Sequence, residues 1–110
     1  MEPNFVIVPQ SDLLGLLLAA FPEFRGNLDD EDLDFGSYHV YAKFAAWLSN
    51  SLDNNRVWQR AYAFFELLAL IDRDILIDVF ESVCENPILA QRIDSNAGPE
   101  MRKIRLAMQT

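Results

Sequence analysis

The chain has 110 residues, one cysteine, one histidine and a net charge of −8, and half of its residues are hydrophobic. That is a folding composition of a size suited to one domain and too small for two ordinary ones. The lone cysteine excludes an internal disulfide, and the acidic excess repels phosphate backbones and anionic lipid surfaces, which argues against nucleic-acid and membrane partners.

The charge is unevenly spread. Residues 1 to 55 hold nine acids against two bases, and residues 56 to 110 hold eight against seven. A basic partner is therefore drawn mainly to the first half. The longest apolar run, Leu13 to Phe21, has nine residues, whereas a bilayer span needs about 20. "MEPNFVIVPQ" has an acid at position 2 and no basic residue, so it lacks the charged start of a signal peptide. A reduced cytoplasmic protein is the expectation.

Pro3 and Pro9 bracket "NFVIV", which reads as an extended N-terminal arm over residues 1–10. Ser11 is a candidate cap for a first helix over about 12–21, weakened by Gly15 and ended by Pro22. Residues 22–36 read as a long acidic loop. A second helix is predicted over about 37–51 from Tyr41, Phe44, Ala45, Leu48 and Leu52. Asp53, Asn54 and Asn55 turn the chain into a third, over about 55–71, apolar around most of its circumference and so central. Asp72 caps a fourth over about 73–85, with a connection so short that the third and fourth should be antiparallel neighbours. Pro87 suits the start of a fifth over about 87–94, and Pro99 opens a last helix. The predicted fold is all-α, a single-domain irregular bundle of about five to six helices built from antiparallel hairpins. Stacked helical repeats are the less favoured arrangement, because no fixed period is found.

Two acidic features stand out. "NLDDEDLDFG" packs Asp29, Asp30, Glu31, Asp32 and Asp34 into six positions. It reads either as a solvated loop or as a negative patch that docks a basic partner. A calcium loop fits poorly. Starting at Asp30 leaves Phe35 where glycine is required and Tyr41 where the closing glutamate belongs. The second feature is Asp74, Asp78, Glu81 and Glu85, spaced to share one face of the fourth helix at some cost in like-charge repulsion. Tyr38 adjoins the first feature and is the aromatic residue expected at the surface. Tyr41, Trp47, Trp58 and Tyr62 are expected to be mostly core, and Cys84 reads as a core filler.

No glycine-rich phosphate loop, nucleophile elbow or paired-histidine metal spacing is present, and a zinc site would lack ligands. His39 reads as a surface or helix-start residue. No catalytic residue, cofactor or metal is therefore assigned, and the protein is not expected to be an enzyme. Carboxylate acid–base chemistry is the weakest of the readings kept open.

The run "VWQRAYAFFELLALIDRDILIDVFESVCEN", with "YHVYAKFAAWL" before it, resembles small acidic bacterial immunity proteins of polymorphic and contact-dependent growth inhibition toxin systems. The likeness covers about residues 37–86 and is carried by Trp58, Phe65, Glu66, Phe80, Glu81 and Glu85. These positions look structural, so no functional residue is carried over. The resemblance implies inhibition of a toxin by binding. The leading expectation is a monomeric immunity protein that neutralises a basic toxin, expected to be a nuclease. Its docking residues would be Asp29, Asp30, Glu31, Asp32, Asp34, Tyr38, Asp74, Asp78, Glu81 and Glu85. The alternative is a helical adaptor or regulatory protein that binds a host protein through an apolar groove. Replacing Asp29, Asp30, Asp32 and Asp34 by Asn is expected to leave folding stability almost unchanged or to raise it slightly, since an exposed loop loses little from self-repulsion.

Overall fold

Each polar residue between apolar runs acts as a punctuation mark, and the helices follow. In the computed structural model, which describes residues 10–108, they are Gln10–Ala20 (α1), a 3-10 helix Pro22–Asn27, Asp30–Asp34 (α2), Ser37–Ser49 (α3), Asn55–Ile71 (α4), Arg73–Val83 (α5), Pro87–Asn96 (α6) and Pro99–Met108 (α7). The fold is all-α, with six helices of at least ten residues among the described ones. Of the extended arm predicted over 1–10, residues 1–9 lie outside the described residues and Gln10 is helical; Ser11 also belongs to α1, so it is not its cap.

The caps that the sequence announces are in place. The Asn54 side chain accepts from the Val57 N–H at the start of α4, and the Asp72 side chain accepts from the Ile75 N–H at the start of α5. Asp72 also ends α4, so α4 and α5 meet at one residue and are packed neighbours. The closest packing of the bundle joins helices that are not consecutive: α5 lies mainly on α3. The fully buried Ala45 keeps the α3 face low, and Ile75, Leu76, Val79, Phe80 and Val83 are buried from the α5 side.

An aromatic cluster fills the centre. The Phe44 ring lies 4.8 Å from Phe21, 5.5 Å from Phe24, 6.2 Å from Phe64 and 6.4 Å from Phe65, measured between centroids. The polar handles of the buried amphipathic aromatics are satisfied, as burial requires. The Tyr41 hydroxyl donates to the Leu13 carbonyl at 2.7 Å, and Trp58 Nε1–H donates to the Ser51 carbonyl at 3.0 Å. Side chains tie the described chain at further places. Arg60 donates to the Ala20 carbonyl, pairs with Glu23 and lies over the Phe21 ring. Arg92 donates to the Leu52 carbonyl and covers Trp58. Glu66 of α4 accepts from the Glu100 and Met101 N–H groups at the start of α7.

The predicted loop over 22–36 is corrected. It is two short helices. Pro22 sits in the first turn of the 3-10 segment, where its missing N–H costs nothing. Phe24 and Leu28 turn into the core. Asp29 then caps α2 by a reciprocal capping box. Its side chain accepts from the Asp32 N–H at 2.8 Å, while the Asp32 carboxylate accepts from the Asp29 N–H at 3.0 Å. The acidic cluster is therefore ordered by two of its own members.

Candidate functional site

The acidic end of the molecule is built by α2, the first turn of α3 and the first turns of α5. Asp29 caps α2, and Asp30, Glu31 and Asp32 lie in its first turn, where the macrodipole favours anions, while Asp34 ends the helix without that help. Asp29 and Asp32 form the capping box, and Asp32 is additionally drawn inward. Only 8% of Asp32 is exposed. Its Oδ1 lies 2.8 Å from His39 Nε2, and its Oδ2 accepts from Lys43 Nζ at 2.8 Å. The Lys43 ammonium first, then His39 and the Asp29 N–H, hold this carboxyl well below the usual carboxylate range. Asp32 is a structural anchor here, which leaves Asp30, Glu31 and Asp34 as the outward-facing acids of α2. The expectation that replacing Asp29 and Asp32 is neutral is corrected for the same reason, because both remove capping bonds.

Gly36 makes the turn from α2 into α3 with φ 93° and ψ 179°, a region that side chains other than glycine's rarely enter. The turn leaves Phe35 63% exposed, with its ring 5.0 Å from the His39 imidazole, and Tyr38 46% exposed. Phe35 was not singled out by the sequence. An apolar residue between Asp34 and Gly36 signals only a helix end, and its exposure depends on the glycine conformation.

Tyr38 joins the two acidic features, which are far apart in the chain. Burial first, and then the charges of Asp72, Asp74 and Asp78, push its hydroxyl above the ordinary phenol range. The first turn of α3 therefore lies beside the first turns of α5. Asp74 and Asp78 are exposed at this end. Among the described residues, Asp30, Glu31, Asp34, Asp74 and Asp78 take part in no ion pair. Arg73 is the base among them, and it too is exposed.

The rest of the predicted acidic face diverges. Glu81 borders a shallow hollow between α5 and α7 with Ile77, Ala107 and Met108. Glu85 lies beyond the end of α5, in the turn before α6, so it is not on the helix face.

No known protein family, curated protein or solved structure matches the chain. The chemistry of the surface therefore carries the functional reading.

Other places offer less. Among the described residues no group of three or more His, Cys, Asp and Glu side chains is arranged to hold a metal ion. His39 is engaged by Asp32. Cys84 is half-buried, and burial raises its thiol pKa, the reverse of the change that activates a nucleophile. The hollow between α3 and α4, lined by Asn50 to Arg56, is open to solvent. It lies at the other end of α3, about 20 Å from Tyr38 by helix rise. No helix among the described residues is long and apolar enough to cross a membrane.

Proposed function

We propose that the protein is an immunity-type inhibitor that docks a basic toxin domain, a nuclease, on its acidic end. The observation that carries this reading is the set of five exposed carboxylates outside any ion pair among the described residues, Asp30, Glu31 and Asp34 on α2 next to the exposed Phe35, and Asp74 and Asp78 on α5 beside the exposed Tyr38. Exposed aromatic anchors inside a charged rim are the usual composition of an energetic interface centre. A nuclease cleft that binds phosphates offers Lys and Arg side chains of complementary sign. Charge complementarity raises the association rate by about 10²-fold or more at low salt, and close pairs couple by about 1.5–7 kcal/mol once desolvated. Asp32, Glu81 and Glu85 are secondary in this reading.

The test has three parts. The tagged protein is used to capture its partner from its own source, and the partner is identified. The partner is then expressed alone, and with this protein or its Asp30→Asn, Glu31→Gln, Asp34→Asn variant. The reading expects a basic partner that arrests growth alone, growth restored by the wild type, and weaker rescue by the variant. A partner that is acidic or harmless, or rescue unchanged in the variant, rejects it.

A second reading is favoured by a different observation. Leu67 and Leu70, one turn apart on α4, are exposed at 45% and 69%. An adaptor that binds a host protein through an apolar face would use them. Leu67→Lys with Leu70→Lys abolishes partner capture under that reading and leaves it intact under the first.

A further inference from the structure

The anchoring of α2 is concentrated on one carboxylate with two donors of different kind. Asp32 makes four contacts, three at its carboxylate and one donated by its own N–H to Asp29. Two belong to the capping box, one comes from Lys43 and one from His39. α2 has five residues, so its own helical bonds are too few to make it stable in isolation. The ties to α3 must supply the difference. Lys43 is a permanent cation at neutral pH. His39 is not, because a neutral imidazole still donates one hydrogen bond and a protonated one donates with a full charge. The charged groups on the elements packed around the pair are Asp29, Asp30, Glu31 and Asp34 on the cap and α2, Lys43 on α3, and Asp72, Asp74 and Asp78 at the start of α5 beside the first turn of α3. The uncharged Phe35 ring covers one side of the imidazole.

We propose that Asp32, His39 and Lys43 form a latch that holds α2 on α3, with His39 as its proton-sensitive half. The latch tightens when His39 gains its second proton and loosens when it loses it, while Lys43 keeps α2 attached in either case. Asp32 is thus a positioning residue for Asp30, Glu31, Asp34 and Phe35. Any consequence for partner docking rests on the function proposed above; the latch itself does not.

The experiment follows α2 directly, in the free protein. Backbone 13Cα chemical shifts of residues 30–34 report the helical population, and the ring shifts of His39 report its protonation. Both are recorded at pH 5.5 and pH 8, either side of the range in which imidazoles titrate. A charge-assisted hydrogen bond is about twice as strong as a neutral one. The ratio of undocked to docked α2 is therefore expected to be about fivefold smaller in the protonated protein. His39→Gln abolishes the pH dependence. Lys43→Met raises the undocked fraction at both pH values and retains the dependence. Asp32→Asn lowers helicity at residues 30–34 while the shifts of α4 and α7 stay in place. Equal helicity at the two pH values in the wild type, with the His39 ring shown to titrate between them, overturns the latch. So does a pH dependence that survives in His39→Gln. Partner binding is not read, so failure here leaves the proposed function standing.

Discussion

A Cβ built on Gly98 would lie 2.5 Å from Oε2 of Glu66, the carboxylate that accepts from the first N–H groups of α7. The space beside the glycine is thus taken up by a side chain from another helix. Glu66 is held in place at both oxygens, so it cannot swing aside without releasing the start of α7. Gly98→Ala is expected to cost about 1.5–3 kcal/mol, the usual worth of hydrogen bonds to a charged group. Gly15→Ala is the control. A Cβ there meets nothing within 4 Å, in the middle of a helix. That change should stabilise by up to about 1 kcal/mol. Urea melts of the two variants check both signs.

Phe44 touches more aromatic rings than its chain neighbours do, and it is fully buried. Phe44→Ala removes that hub. Such truncations cost about 3–5 kcal/mol, against a total of about 5–15 kcal/mol for an ordinary domain. The variant should melt far below the wild type and expose the near-ultraviolet aromatic signal to averaging. Phe44→Leu should keep a single cooperative transition. A change of less than about 1 kcal/mol for Phe44→Ala would show that the cluster reorganises around the void.

Acid should unfold the protein partly through two carboxylates. Asp32 is held below the usual range by Lys43, His39 and the Asp29 N–H, and Glu23 by Arg60. A carboxyl whose folded pKa is depressed contributes stability above its unfolded value, near 4, and loses it as the pH falls through the folded value. The melting temperature should therefore fall steadily below about pH 4. In Asp32→Asn the acid limb should be flatter and the plateau at neutral pH lower. The alkaline side has the opposite origin. Burial and the Asp72 charge push the Tyr41 phenol up, so stability is present below about pH 10 and lost above it. Thermal melts across pH on both proteins test the two limbs.

The helices over 55–71 and from 99 onward were legible because their boundaries are local. Asn54 and Pro99 act on the residues beside them. The fourth helix is two residues shorter than the sequence suggests, because Asn86–Pro87 marks an end only at 85, whereas Cys84 already leaves the helix. Residues 22–36 look like a loop in the sequence because their order comes from distance. Phe24 and Leu28 need the core, and Asp32 needs His39 and Lys43. The Asp29-to-Asp32 spacing is a capping box, but it is hidden among acids that suggest repulsion. The exposure of Asp30, Glu31, Asp34 and Tyr38 was foreseen by charge and position. The meeting of Tyr38 with Asp74 and Asp78 was not, because it depends on α3 packing against α5 across the intervening α4.

The central claim is that the acidic end steers a basic partner. Its most direct test is the association rate of the captured partner with the wild type and with the Asp30→Asn, Glu31→Gln, Asp34→Asn variant, by stopped flow at low and high salt. Asp29 and Asp32 are left intact so that α2 keeps its cap, and a thermal melt should show the variant as stable as the wild type. The account predicts association slower by about tenfold or more at low salt, with a flatter salt dependence and little difference at high salt. Equal rates and equal salt slopes for the two proteins would contradict it.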